Sequence, residues 1–227
     1  MPKYTPNPEG RPLSPAGRQL AVPSQVRPPF QLGLCLDVSD SMLHLVSSVV
    51  TGYNQLVTSM PDSEITVNFF GSNVHFLHRS VPASQVEVML DRDYELAGAT
   101  SLLDGFGDII QAVARVYDPP SRMNKPPVLI ALLTDGAENH STRFDVEMIR
   151  QLVTYRRISC GWQFVYLGAG SKHYGLKLGI PSANIAEFST NPEDLALLLQ
   201  RLKSAVGAYY LGDKNFARYL LKERNDS

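Results

Sequence analysis

Five oxygen-bearing side chains carry the chemistry this sequence offers. They are Asp37, Ser39 and Ser41 in the run Asp37-Val38-Ser39-Asp40-Ser41, Thr100 in Gly98-Ala99-Thr100-Ser101-Leu102, and Asp135 in Leu133-Thr134-Asp135-Gly136. Asp37, Ser39 and Ser41 alternate along one turn, a spacing that lets their oxygens converge on one point. Carboxylate and hydroxyl oxygens are hard donors suited to Mg²⁺, with Mn²⁺ or Ca²⁺ as alternatives. Two formal negative charges around a divalent ion leave it electrophilic, which favours an acidic group from outside.

Asp37 and Asp135 each stand where an apolar run gives way to a polar turn. Residues 30–36 are apolar and precede Asp37; Leu43, Val46, Val50, Tyr53 and Val57 then fall at helical spacing until Met60-Pro61. Residues 65–70 and 74–77, joined by Gly71-Ser72-Asn73, read as a hairpin at a sheet edge. A short amphipathic piece at 84–90 leads into the glycine-bearing loop of Thr100. Leu102, Leu103, Phe106, Ile109, Ile110, Val113 and Val116 predict a second helix, stopped by Asp118-Pro119-Pro120. The run 128–133 is apolar throughout, as a central parallel strand covered on both faces must be. A helix through Phe144, Ile149, Leu152 and Val153 follows, then a strand at 162–167, a turn at Gly168-Ala169-Gly170 and a short helix through Leu176. A brief strand near 183–188 and a helix with Leu195, Leu198, Leu199, Leu202 and Val206 complete the alternation. This order predicts an α/β fold: a doubly wound, mostly parallel six-stranded sheet with one antiparallel edge strand and helices on both faces. In such sheets ligands bind at the carboxyl ends of the strands, where Asp37 and Asp135 stand.

The three parts together resemble the metal-ion-dependent adhesion site of the von Willebrand factor type A (vWA) domain family, over roughly residues 30–207. The Gly168-Ala169-Gly170 and Leu178-Gly179-Ile180-Pro181 stretches are also similar to stretches in small prokaryotic cytosolic members. The resemblance implies that Ser39 and Ser41 ligate the metal directly and Thr100 directly or through water. Asp37 and Asp135 would act mainly through waters or as acceptors behind the ligands. It further implies a protein partner whose Asp or Glu completes the coordination. Asp40 departs into a variable position, either adding negative charge near the metal or capping the following helix; Asp is a preferred N-cap residue, and the cap is the expectation. Glu138-Asn139-His140 is expected on the same rim, contacting a partner or simply solvated.

The rival readings are fewer. Asp37, Ser39, Ser41 and Thr100 taken singly are unremarkable helix caps, with Asp135-Gly136 a turn. A Mg²⁺-dependent phosphohydrolase using Asp37 as nucleophile would need a second acid two residues on, where Ser39 stands. Gly-x-Ser-x-Gly is absent, and Gly168-Ala169-Gly170-Ser171-Lys172 lacks the spacing of a phosphate loop. No pair of histidines has the helical spacing of a zinc site, and His75, His78, His140 and His173 are expected to be surface or satisfied side chains. A basic patch from Arg143, Arg150, Arg156 and Arg157 is conceivable, but a net charge of -1 gives no global attraction to nucleic acid or membrane.

With 227 residues, 44% of them hydrophobic, the chain suits one compact domain. Residues 1–29 hold half of the 16 prolines and read as an extended arm. Residues 208–227, with Tyr209, Tyr210, Phe216, Tyr219, Leu220 and Leu221, are either a final helix packed on the domain or a segment that faces a partner. In a third reading the two ends form an interaction scaffold. No apolar run is long enough to span a bilayer and the first residues lack a signal-peptide pattern, so a soluble, cytoplasmic, non-enzymatic protein is expected. Cys35 and Cys160 are too few for a disulfide framework and are expected as buried free thiols.

Overall fold

The computed structural model describes residues 29–117, 126–170 and 172–221. Its sheet runs in the order β3-β2-β1-β4-β5-β6, formed by β1 (Phe30–Asp37), β2 (Ser63–Phe70), β3 (Val74–Pro82), β4 (Val128–Thr134), β5 (Gln163–Ala169) and β6 (Ile185–Phe188). All neighbours pair in parallel except β2 and β3, so the sheet has five parallel strands and one antiparallel edge, as the sequence predicts.

The uniformly apolar runs divide their side chains between two cores, because successive residues of a strand point to opposite faces. Leu32, Leu34 and Leu36 of β1, with Leu129, Ala131 and Leu133 of β4, pack on one side under α1 (Val46–Thr58) and α5 (Pro192–Tyr210). Cys35, Val128, Ile130 and Leu132 pack on the other under α2 (Leu102–Tyr117) and α3 (Val146–Cys160). Gly33 faces Ile130 so closely that a Cβ there would lie 2.9 Å from Ile130 Cγ1. Gly52 does the same for the two helices of the first face, meeting Leu199 Cδ1 at 2.5 Å.

The helices begin and end on the residues physical chemistry favours there. Asp145 caps α3 by accepting from Met148 N, and Asn191 caps α5 by accepting from Asp194 N, with Pro192 at the first helical position. Gly161 terminates α3 at φ 71°, a left-handed conformation that costs glycine little.

Four expectations change. The stretch after Asp37 is first a 3-10 turn, Asp40–Leu45, and only then α1; its three-residue period buries Met42 and Leu45 and leaves Leu43 69% exposed. At the end of α2, Tyr117 is buried in place of Val116. The piece at 84–90 holds a single 3-10 turn, Ala83–Gln85, in place of a longer amphipathic element. Gly168 and Ala169 belong to β5, and only Gly170 bends away, at φ 59°.

Helix α5 continues to Tyr210, and a further 3-10 turn, Phe216–Leu220, folds back to bury Phe216, Ala217 and Leu220 in the first core. Phe216 lies 5.1 Å from the Tyr209 ring, and Phe30 meets both Tyr209 and Tyr210 edge-on. The arm before residue 29, the Asp118-Pro119-Pro120 stop, Ser171 and residues 222–227 lie outside the described residues. No helix among the described residues is long and apolar enough to cross a membrane. Both cysteines are free; Cys35 is buried and Cys160 only partly so.

Candidate metal centre

Strands β1 and β4 are neighbours and parallel, with Leu36 in register with Leu133, so their following loops emerge side by side. That pairing brings Asp37 and Asp135 together at the carboxyl end of the central strands although they are far apart in sequence. Ser41 Oγ donates to Asp135 Oδ1 at 2.6 Å, and Ser39 Oγ lies 3.1 Å from Ser41 Oγ. Asp37 is fully buried: its Oδ1 accepts from Ser39 N at 2.8 Å and its Oδ2 from Thr134 Oγ1 at 2.5 Å.

Gly136 supplies a measure of convergence. A Cβ placed on it would lie 3.4 Å from Thr100 Oγ1, 3.7 Å from Ser41 Oγ and 3.9 Å from Asp37 Oδ2. Oxygens from two separate stretches therefore surround one point on a third, and Gly136 leaves that point open. All five residues singled out from the sequence belong to this cluster, with Asp37, Ser39 and Thr100 buried and Ser41 exposed. Two carboxylates and three hydroxyls with no sulfur or imidazole make a donor set that fits a hard divalent cation. Among the described residues no group of three His, Cys, Asp or Glu forms a metal cluster elsewhere.

The electrostatics are those of a carboxylate taken out of water. Burial pushes the Asp37 carboxyl above its ordinary value of 3.8, hydrogen bonds from Ser39 and Thr134 pull it back in part, and the Asp135 charge adds to the rise.

The surrounding loops are held by residues whose roles the sequence did not disclose. Tyr94 donates its hydroxyl to the carbonyl of Asp37. Thr134, in sequence only the neighbour of Asp135, orients Asp37 and accepts from Gly136 N at 3.1 Å. Asp40 does not cap the helix that follows; its Oδ1 accepts from Gly98 N at 3.0 Å and its own N–H donates to Gly98 O at 3.1 Å. The reason is distance: the Thr100 loop lies against the first turn, and its free amides outcompete the helix for the carboxylate.

Glu138 and Asn139 are structural as well. Glu138 accepts from Leu103 N, His140 N and Ser141 N, closing the loop after β4 onto the start of α2. Buried Asp104 accepts from Thr142 N, Arg143 N and Phe144 N at 2.9 to 3.1 Å, tying down the same loop. The supposed basic patch is dispersed: Arg143 forks onto Asp108, Arg150 pairs with Glu147, and Arg157 donates to Gly179 O.

No protein-family model matches the chain, and no curated protein matches it in sequence. Solved structures do match. The von Willebrand factor domain of Mfa5, a type V pili tip protein from Porphyromonas gingivalis, aligns at a TM-score of 0.60 and 11% identity, covering 82% of this chain and 97% of that one. Proximal thread matrix protein 1 from the mussel byssus aligns at 0.59 and 15% identity, over 78% of this chain and 48% of the other. Another structure of that mussel protein has a zinc-occupied metal-ion-dependent adhesion site. The PilB minor pilin from Streptococcus sanguinis aligns at 0.59 and 12% identity, over 81% and 62%. The chain thus spans about half the length of the mussel protein and less than two thirds of the pilin. At these identities the likeness is one of fold, and the fold is vWA-like.

Proposed function

We propose that this chain is a divalent-cation-dependent protein-binding module. The convergence of Thr100, Ser41 and Asp37 oxygens around Gly136 carries the reading. Ser39, Ser41 and Thr100 would hold the cation, with Asp37 and Asp135 balancing its charge. Mg²⁺ suits this oxygen set best, and Mn²⁺ or Ca²⁺ would also be accepted. The bound cation supplies an electrophilic centre to which an Asp or Glu of a partner coordinates. That the pili tip protein and the thread matrix protein share this fold supports a role in protein association. The reading keeps the module in the cytoplasm, as in the small prokaryotic vWA proteins it resembles.

The same reading assigns no catalysis. Asp37 is fully buried and its two oxygens accept from Ser39 N and Thr134 Oγ1, bonds that hold the carboxylate in place beneath the site and disfavour a role as phosphoryl acceptor.

Thermal melts with Mg²⁺ or Mn²⁺ against EDTA test the cation: wild type gains melting temperature and Ser39→Ala does not. Absence of any metal-dependent shift in wild type would sink the reading. Capture of a partner that ignores EDTA would remove the metal from recognition, and phosphatase turnover abolished by Asp37→Asn would make the protein an enzyme.

A further inference from the structure

We propose that Asn139 and Asp40 are positioning residues that clamp the Thr100 loop from opposite sides and so assemble the cation site before a cation arrives; this rests on the metal-binding reading above.

Thr100 lies in a stretch, 94–101, that belongs to neither helix nor strand. Such a loop, left to itself, would have to be ordered by the cation at the cost of its conformational freedom. Here it is ordered by two small devices of the same design. Asn139 accepts from Thr100 N through Oδ1 at 2.9 Å, and its own N–H donates to Thr100 O at 3.2 Å. Asp40 accepts from Gly98 N through Oδ1 at 3.0 Å, and its own N–H donates to Gly98 O at 3.1 Å. In each, one residue uses its side-chain oxygen and its backbone amide to take up both main-chain polar groups of one loop residue. A Cα whose flanking N–H and C=O are both held cannot swing, and the Thr100 hydroxyl is left only its own χ1 rotation.

The origins of the clamps matter as much as their geometry. Asp40 stands between Ser39 and Ser41, and Asn139 follows Asp135 on the neighbouring loop. The Thr100 loop is therefore bonded to each of the other two stretches that supply site oxygens. Two further bonds, Ala97 N to Val38 O at 2.7 Å and Ser101 N to Gly71 O at 2.9 Å, fix the loop on either side of the clamps. Asp40 and Asn139 are both exposed, so neither is needed to fill the core. Groups that orient a ligand without touching the metal set its affinity through preorganisation.

The test uses the full chain, with Mn²⁺ as probe, and the variants Asn139→Ala, Asn139→Asp, Asp40→Ala and Asp40→Asn. Amide exchange of Thr100 and Gly98 is followed in metal-free protein, and Mn²⁺ affinity by titration calorimetry. The proposal expects both amides to be protected in metal-free wild type. Each Ala variant should speed exchange at its own clamp and weaken Mn²⁺ binding roughly 10- to 100-fold. Asn139→Asp and Asp40→Asn, which keep the accepting oxygen, should restore protection and most of the affinity. Unprotected amides in metal-free wild type overturn the proposal. So does Mn²⁺ affinity in both Ala variants equal to that of a wild type that binds it, an outcome that leaves the cation reading standing. A wild type that binds no Mn²⁺ overturns the cation reading and this proposal together.

Discussion

Thr134 Oγ1 reaches Asp37 Oδ2 at 2.5 Å across 97 positions of sequence, joining the last residue of β4 to the last residue of β1 beneath the candidate site. The bond gives a fully buried carboxylate one of its donors. Thr134→Val keeps the shape and removes that donor, leaving Asp37 under-satisfied. A loss of about 1–3 kcal/mol in urea unfolding of the metal-free protein is expected.

The Asp37 carboxyl also sets a pH dependence whose sign follows from its raised pKa. A group that holds its proton more tightly folded than unfolded contributes stability that is complete below the unfolded value and is lost as pH rises through the folded one. Relative to Asp37→Asn, metal-free wild type should therefore lose unfolding free energy as pH climbs from 3.8 through the raised folded value. A difference between the two proteins that stays flat over that window would contradict the expectation.

Gly136→Ala should separate fold from site. The added Cβ makes only ordinary contacts, 3.4 to 3.9 Å, so the chain should fold with nearly unchanged stability. It would sit among the oxygens of Thr100, Ser41 and Asp37, in the space a cation needs. The expected result is a normal melt that no longer responds to Mg²⁺.

Asp104 offers the opposite pH sign. Burial raises its pKa, but three backbone N–H donors and then Arg143 more than offset this, and the net direction is downward. Its contribution is therefore present above the ordinary aspartate value of 3.8 and is lost as pH falls through the lowered folded value. Asp104→Ala should cost about 1–3 kcal/mol at neutral pH and loosen residues 142–144, as read by amide exchange.

Phe216→Ala probes the tail. The ring is 2% exposed and packed at a tilt against Tyr209, so truncation should cost about 3–5 kcal/mol in chemical denaturation. A cost below about 1 kcal/mol, the range of surface substitutions, would mean the tail is not an integral part of the core.

The sheet and its flanking helices were legible because each strand and helix must carry enough apolar surface to bury itself, and that requirement repeats with a visible period. Residues 128–133 and the stripe from Leu102 to Val113 read directly. The candidate site is legible for a related reason: loops at strand ends are short, so Asp37, Ser39, Ser41 and Asp135 stay close to apolar runs that mark those ends. What escaped depends on loops meeting across tens of residues. Asp40 looked like a cap because Gly98, its actual partner, is 58 positions away, and Asn139 looked like a solvated rim because Thr100 is 39 positions away. Leu43 escapes the helical pattern for a local reason, since a 3-10 turn and an α-helix bury different residues of one apolar series.

Strand β1 pairs along most of its length with β2 on one side and β4 on the other, all parallel, and the candidate site lies directly beyond its last residue. Tension between something held at the site and the chain ahead of Phe30 runs along this strand, loading both ladders in shear so that many hydrogen bonds share the force. Tension led out through Leu221 instead peels the Phe216–Leu220 turn from α5 a few contacts at a time. The two ends of the same chain are mechanically unequal: single-molecule pulling should find high resistance along β1 and early yielding at the tail.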